Sequence, residues 1–157
     1  MIIVHIITAF GIGGAEKLLL NIINEQVKTH EVHLVYLKPI NDLIHLLDKR
    51  VKIKYIPLSF LTIINLKKYF KVKNPDIIHT HLSHADILGI LASNSKRAKV
   101  FCTMHNIYFK KNWKDNLLFA VYKIIYTIRK TNVISISKSV ENHVLSKLNQ
   151  NKYVFYL

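Results

Sequence analysis

The sequence predicts an α/β fold, a doubly wound and mostly parallel sheet of about seven strands, in a single domain covering residues 1–157. Short apolar, β-branched runs alternate along the chain with stretches whose apolar residues recur at helical spacing. Hydrophobic residues make up 50% of the chain, as expected when strands are buried on both faces. A length of 157 residues allows one domain with a substantial core.

Each element follows from a local pattern. The first strand is expected at residues 2–8, and the helix that follows from Ala15 has one apolar face for the sheet. Pro57 ends the third strand, and the Asn74-Pro75 pair ends the next helix. The other strands are expected at residues 31–37, 51–56, 76–80, 99–104, 133–137 and 152–156. The other helices are expected at residues 41–47, 60–72, 85–92, 112–129 and 139–148.

Three of the chain's 4 glycines, Gly11, Gly13 and Gly14, join the first strand to the first helix. A turn without side chains leaves backbone N–H groups and the positive end of the helix dipole accessible, which favours nucleotide phosphates. Glu16 replaces the third glycine of a dinucleotide-binding fingerprint, and no acid follows the second strand, so a dehydrogenase is not expected. The alternative is a plain strand-to-helix turn, with Glu16 as a first-turn acid.

Polar clusters follow three further strands, at residues 79–81, 103–105 and 135–137. In a doubly wound sheet, ligands bind beyond the carboxyl ends of the strands, where these clusters fall. His105 is therefore a candidate substrate contact, and a purely structural histidine is the alternative. Ser137 opens a helix, where it could cap the helix or also contact a phosphate or sugar hydroxyl.

The spacing His79-x-His81-x-x-His84, followed by Asp86, suggests a metal-dependent hydrolase. It approaches the His-x-His-x-Asp-His pattern of metallo-β-lactamase-like proteins, but Ser83 stands at the Asp position. Those proteins also use a mostly antiparallel sandwich, which the alternation here does not predict. We expect no metal site, and instead one histidine at the sheet edge with two neighbours that cap the next helix or face solvent.

The formal net charge of +14 indicates an anionic partner. Basic residues beside apolar ones could place two helices on an anionic membrane, and a solvated basic face is the alternative. The residues expected to face the membrane are Lys67, Lys68, Lys71, Lys111, Trp113 and Lys114. Nucleic-acid binding is not expected, because no recognition motif or aromatic ladder accompanies the charge.

A cytoplasmic protein, peripheral at the inner membrane face, is the expected location. The single cysteine, Cys102, excludes an internal disulfide and fits a reducing compartment. No basic segment precedes Ile2, so no secretory signal is expected. The longest apolar stretch, residues 117–128, is shorter than the ~20 residues of a membrane span and contains Lys123.

Together these motifs resemble the N-terminal domain of family-4 glycosyltransferases, which have the two-domain GT-B fold. The order and spacing of the motifs make the likeness specific over essentially the whole chain. The motifs are Phe10-Gly11-Ile12-Gly13-Gly14-Ala15-Glu16, His30-Glu31-Val32, Pro75-Asp76-Ile77-Ile78-His79-Thr80-His81, Thr103-Met104-His105-Asn106 and Ile134-Ser135-Ile136-Ser137.

The resemblance implies transfer of a sugar from a nucleotide-sugar donor to a sugar or lipid-linked acceptor, with retention at the anomeric carbon and no cofactor. It implies that the amides of Gly13 and Gly14 approach the donor diphosphate. It also implies that His105 contacts the transferred sugar or stabilises charge near the leaving phosphate, with Glu16 and His81 as acceptor contacts. Such enzymes build surface polysaccharides or glycolipids.

In that family a second domain binds most of the nucleotide, and this sequence shows only the first. The resemblance therefore predicts an acceptor-side domain that is inactive without a second glycosyltransferase domain, in cis or in trans. Two alternatives stay open. One is a non-catalytic remnant that binds an anionic lipid or an acceptor, and the other is the metal-dependent hydrolase that uses His79, His81 and His84.

Overall fold

The computed structural model describes residues 1–94, 96–105, 113–129, 131–142 and 154–156. Seven strands alternate with helices along the chain, as the sequence predicts. The strands are β1 (Ile2–Ile7), β2 (Glu31–Tyr36), β3 (Lys52–Tyr55), β4 (Ile77–His81), β5 (Lys99–Met104), β6 (Asn132–Ser135) and β7 (Val154–Tyr156).

Four helices have described bounds, namely α1 (Gly14–Gln26), α2 (Thr62–Lys73), α3 (Ser83–Ala92) and α4 (Trp113–Arg129). The short helix expected at residues 41–47 is a 3-10 turn at Ile44–Leu46. Residues 138–142 are helical, and the rest of the helix expected at 139–148 lies outside the described residues. Asn74 ends α2 in the left-handed conformation (φ 47°), which asparagine tolerates at a helix end, and Pro75 after it disfavours a further helical residue.

The seven strands form one sheet in the order β3-β2-β1-β4-β5-β6-β7, and every neighbouring pair is parallel. The strand order reverses between β1 and β4, because the chain runs outward from β1 to β3 and then crosses back. The doubly wound, parallel fold predicted from the sequence is therefore confirmed. The switch point lies between the glycine turn after β1 and the histidines of β4.

Different helices pack on the two faces of the sheet. On one face, α1 packs on β1 and β2 through a cluster that includes Ile7, Leu19 and Ile23. On the other face, α2 and α3 pack on β1, β2 and β4, and α4 packs on β5 and β6. We call these the α1 face and the α2–α4 face. Because side chains alternate along a strand, each strand contributes to both.

Candidate functional site

The carboxyl ends of the central strands form one edge, which carries the glycine turn after β1, His81 in β4 and His105 directly after β5. Adjacent strands lie about 4.8 Å apart, so the ends of β1 and β5 are about 10 Å apart, with β4 between them. The structure thus places the predicted glycine turn and His105 along the same edge. The spacing is comparable to the length of a diphosphate with an attached sugar.

The glycine turn begins α1. Gly13 is the N-cap in an extended conformation (φ −155°), and Gly14 is the first helical residue with no atom within 4 Å of a would-be Cβ. The carboxylate of Glu16 folds back against Gly13, where a side chain on Gly13 would collide with it. The open amide edge expected from the sequence is therefore partly occupied by the chain's own anion. An incoming phosphate would meet Gly14 first, and Glu16 would have to turn away from Gly13.

A cluster of four buried histidines fills the α1 face behind this edge. His5 of β1 lies in register with His79 of β4, and His81 follows on the same side of β4. The four rings, His5, His79, His81 and His105, are 0%, 8%, 1% and 8% exposed. His5 was not identified in the sequence analysis. A usable signal was its position in the middle of β1, which pairs with the strand that carries the His-x-His motif.

Hydrogen bonds connect these rings to one another and to α1. Nε2 of His5 is 2.7 Å from Oε1 of Gln26, the last residue of α1. Nδ1 of His5 is 3.2 Å from Nε2 of His81, and Nδ1 of His81 is 3.3 Å from Nε2 of His105. His79 makes a separate bond, with its Nε2 2.7 Å from Oγ1 of Thr103.

Burial keeps these imidazoles neutral. Desolvation lowers the pKa of His5 to about 4 against a hydrogen bond with Gln26 that raises it, and desolvation also lowers the pKa of His105 to about 4. Desolvation, together with the neighbouring histidines, also lowers the pKa values of His79 and His81 well below the usual value. At neutral pH the cluster therefore offers neutral donors and acceptors and no positive charge.

The metal-dependent hydrolase hypothesis grouped residues that the structure keeps apart. The described structure groups His79 and His81 with His5, their ligand atoms lying within 4.8 Å of one another, whereas His84 is exposed on α3. Asp86 lies on the α2–α4 face, where Thr80 and Cys102 bond to it, so the sheet separates it from the histidines. The expectation that two of the three motif histidines cap a helix or face solvent was also wrong, since His79 and His81 are buried.

The turn from β4 into α3 is strained. Leu82, directly after His81, has a φ of 71° and a ψ of 151°, a conformation that a bulky residue rarely adopts. The turn is secured by the backbone N–H of Ala85, which donates to Oγ1 of Thr8 at 3.2 Å. Strain of this kind is concentrated at binding sites, and here it fixes where β4 stops beside β1.

Ser137 lies after β6 at the same edge and caps the following helical turn. Its Oγ accepts from the backbone N–H of Val140 at 3.3 Å, and its carbonyl accepts from Glu141 at 2.9 Å. The cap predicted from the sequence is confirmed, and Ser137 is exposed.

Three of the lysines expected to face a membrane belong to α2. Lys67, Lys68 and Lys71 are exposed on α2. Lys111 lies outside the described residues, and so do the side chains of Trp113 and Lys114 at the start of α4. Within the described part of the chain, no helix is long and apolar enough to cross a membrane.

The sequence profile described as Glycosyltransferase Family 4 matches residues 12–154, most of the chain. No curated protein matches the sequence. Solved structures share the fold at low sequence identity. The structure of Anabaena Alr3699/HepE in complex with UDP has a TM-score of 0.80 at 14% identity, covering 100% of this chain and 43% of that one.

Two more glycosyltransferase structures are similar. One from Rickettsia africae ESF-5 has a TM-score of 0.71 at 18% identity, covering 98% of this chain and 42% of that one. The apo form of the lipopolysaccharide outer core galactosyltransferase WaaB has a TM-score of 0.66 at 18% identity, covering 99% and 44%. The chain therefore spans under half the length of each of these three structures.

Proposed function

Because the chain belongs to glycosyltransferase family 4, we propose that it is the acceptor-side domain of a retaining glycosyltransferase that uses a nucleotide-sugar donor. The observation that carries the proposal is the shared edge of the glycine turn and His105, at the switch point of a parallel sheet. A GT-B enzyme places its reaction between two such domains, and this edge supplies one wall.

The donor and the product class come from the similar structures. Alr3699/HepE was solved with UDP, and also with UDP and glucose, which supports a nucleotide sugar as co-substrate and no further cofactor. WaaB is a galactosyltransferase of the lipopolysaccharide outer core, which supports a role in building a surface polysaccharide or glycolipid.

We propose distinct roles for the residues along the edge. Gly14 presents an exposed helix N-terminus to the diphosphate, and Glu16 beside it would turn toward an acceptor hydroxyl when the phosphate enters. With a pKa of about 4, His105 is neutral at physiological pH, so it serves as a hydrogen-bond partner of the sugar and not as a cation at the leaving phosphate. His81 is too buried to contact an acceptor and acts through His105.

We further propose that the nucleotide is held by a second domain, in cis or in trans. The similar structures are more than twice as long as this chain. Stabilisation of the departing diphosphate typically supplies much of the rate enhancement in such chemistry. This wall offers helix N-termini for it, at Gly14 and after Ser137, whereas the family resemblance implies that most of the nucleotide contacts belong to the second domain. The 157-residue chain alone is then expected to bind donor weakly and not to transfer sugar.

Amide NMR of the isotope-labelled chain tests this proposal directly. Titration with UDP-glucose should shift the resonances of Gly13, Gly14 and His105, and His105→Ala should weaken these shifts. His84→Ala, which removes an exposed histidine of the same motif, is the matched control and should change nothing. Sugar transfer by the chain alone at about 1 per second or faster would refute the proposal that this chain supplies only one side of the active site.

A second candidate function, binding to an anionic membrane surface at the cytoplasmic side, is favoured by the exposed side of α2. Phe60, Ile64 and Val72 are 90%, 49% and 76% exposed, on or beside the helix that carries Lys67, Lys68 and Lys71. Exposed apolar residues among lysines suit a helix that lies in a lipid headgroup region. A non-catalytic remnant that binds lipid would use the same α2 surface.

Sedimentation with vesicles of anionic lipid at low salt measures this membrane affinity. Replacing the three α2 lysines with glutamine should weaken binding by about 100-fold, since each lysine near the surface contributes about 1 kcal/mol. The matched control replaces Lys17, Lys28 and Lys49, which are exposed outside α2. Equal losses in the two triple variants would show that only net charge matters and would remove α2 as the membrane face.

A further inference from the structure

A row of hydrogen bonds runs across three neighbouring strands and ends at the candidate sugar contact. It starts at Gln26 on α1, passes through His5 on β1 and His81 on β4, and reaches His105 after β5. The heavy-atom separations are 2.7, 3.2 and 3.3 Å. The imidazoles of the row are nine-tenths buried or more, so water does not replace these bonds.

A neutral imidazole has one nitrogen that donates and one that accepts, so the row has a direction. If Oε1 of Gln26 accepts from Nε2–H of His5, then Nδ1 of His5 accepts from Nε2–H of His81. Nδ1 of His81 then accepts from Nε2–H of His105, and Nδ1 of His105 keeps a lone pair. Reversing the Gln26 amide would reverse all three rings, because each bond requires one donor and one acceptor.

We propose that Gln26, His5 and His81 are positioning residues that hold His105 as the Nε2–H tautomer, so that its Nδ1 accepts a hydrogen bond from a sugar hydroxyl. The hydroxyl as ligand rests on the proposed function, whereas the tautomer does not. No bond to Nδ1 of His105 is made by the described residues. The side chain that sets this acceptor, Gln26, is more than 70 positions away in sequence.

The direction follows from Oε1 of Gln26 facing Nε2 of His5, and two features support an ordered row of neutral rings. The pKa values of the row are all lowered by burial, so no ring carries a second proton that would interrupt the alternation of donor and acceptor. Gln26 is held at the end of a 13-residue helix whose apolar side is anchored in the core by Leu19, Leu20 and Ile23. The start of the row is thus on a rigid element, as a positioning role requires.

A metal ion is the competing occupant of the same cluster. It would need lone pairs from His5, His79 and His81 directed at one point about 2 Å from each nitrogen. The rings of His79 and His81 instead lie 4.2 Å apart between centroids and only 38° from parallel, closer to stacking than to convergence. Nδ1 of His5 and Nε2 of His81 are also already bonded to each other. The hydrogen-bonded row accounts for these contacts without an ion.

Nitrogen-15 NMR of the histidine rings in the intact chain measures the tautomers. In the wild-type protein at neutral pH, we expect protonated Nε2 and unprotonated Nδ1 in His5, His81 and His105. Gln26→Met keeps side-chain length and removes the amide, and it should raise the Nδ1–H population of His105 by about fivefold, as expected for the loss of one hydrogen bond. Gln26 is half-buried at a helix end, so the variant should fold.

Thr103→Val is the matched control, because it breaks the bond of His79, a ring in the same cluster but outside the row. It should change the His79 nitrogens and leave the His105 tautomer unchanged. The proposal is overturned if wild-type His105 carries its proton on Nδ1, or if Gln26→Met leaves the His105 nitrogens where they were. Equal responses to both variants would also overturn it, since a general packing disturbance would then suffice.

Two further titrations separate this proposal from its rivals. Stoichiometric zinc binding that gives His5, His79 and His81 metal-bound nitrogen shifts would replace the row with a metal site. Addition of UDP-glucose should move Nδ1 of His105 while Nε2 stays protonated. If the wild-type tautomers are as expected and UDP-glucose perturbs no residue of the edge, the proposed function fails and the positioning row stands.

Discussion

The two faces of β4 carry opposite kinds of buried polar group. On the α1 face, His79 and His81 belong to a cluster of bases whose pKa values are lowered by burial. On the α2–α4 face, Thr80 lies beside Asp86, a buried acid whose pKa is raised to about 7 by desolvation, against smaller opposing bonds from Thr80 and Cys102. One strand thus separates bases from an acid, and burial shifts the pKa of each group toward its neutral form.

The two faces also differ in how their buried polar groups find hydrogen-bond partners. The α1 face satisfies its histidines with one another, with Gln26 and with Thr103. The other face leaves Oδ1 of Asp86 without a partner among the described residues, next to the Cys102–Tyr126 contact of 3.0 Å. The histidine side is therefore a connected network, and the aspartate side is a locally costly exception within an apolar core.

The two faces should respond to pH with opposite signs, and Asp86→Asn should give the largest effect. Between pH 3.8 and about 7 the folded chain keeps a proton on Asp86 that the unfolded chain releases, so stability falls as pH rises. Asparagine does not titrate, so the variant should gain up to about 4 kcal/mol relative to wild type between those limits. Urea unfolding at both limits measures this, and a constant difference would contradict it.

On the α1 face, the unfolded chain binds protons that the folded chain excludes between pH 6.5 and about 4, so stability falls as pH falls. His5 alone should account for about 3 kcal/mol of this loss, and His5→Gln should remove that part. The same unfolding series in the Asp86→Asn background isolates the histidine contribution. His84→Asn, at an exposed position, is the control, and a loss equal to that of His5→Gln would contradict the assignment.

Packing on the α2–α4 face should give a smaller effect. A Cβ on Gly89 of α3 would lie 2.8 Å from Cγ2 of Thr80 and 2.9 Å from Cδ1 of Ile6, so Gly89→Ala should destabilise the fold by about 1–3 kcal/mol. Gly14→Ala, where the space is open, should be neutral or stabilising by about 0.5 kcal/mol. Thermal unfolding compares the two, and equal effects would show that α3 can shift away from the sheet.

Local patterns predicted the fold well, for identifiable reasons. The β-branched runs and the helical spacing encode each element within its own residues, so all seven strands were found with their ends shifted by at most two positions. Asn74-Pro75 and Ser137 marked helix ends through backbone restrictions that act over a few residues. Local patterns and the strand order together were enough to predict which residues lie at the sheet edge, namely Gly13, Gly14, Ser137 and His105.

The errors all came from contacts between elements. Two of the three motif histidines were expected to cap a helix or face solvent, but His79 and His81 are buried and only His84 is exposed, in the first turn of α3. The sequence indicated a first-turn acid at Glu16, and its carboxylate also covers the glycine turn. His5 was not predicted as a site residue, because its partners Gln26 and His81 lie 21 and 76 positions away in the sequence.

The sequence by itself determined the parallel α/β architecture, the family and the edge that carries the candidate site, because periodicity and turn residues act locally. Only the tertiary structure decided which histidines share a hydrogen-bonded row and which carboxyl lies on the opposite face. Those relations depend on the register between strands that are distant in the chain. A shift of one residue in that register would send His5 and His81 to opposite faces of the sheet.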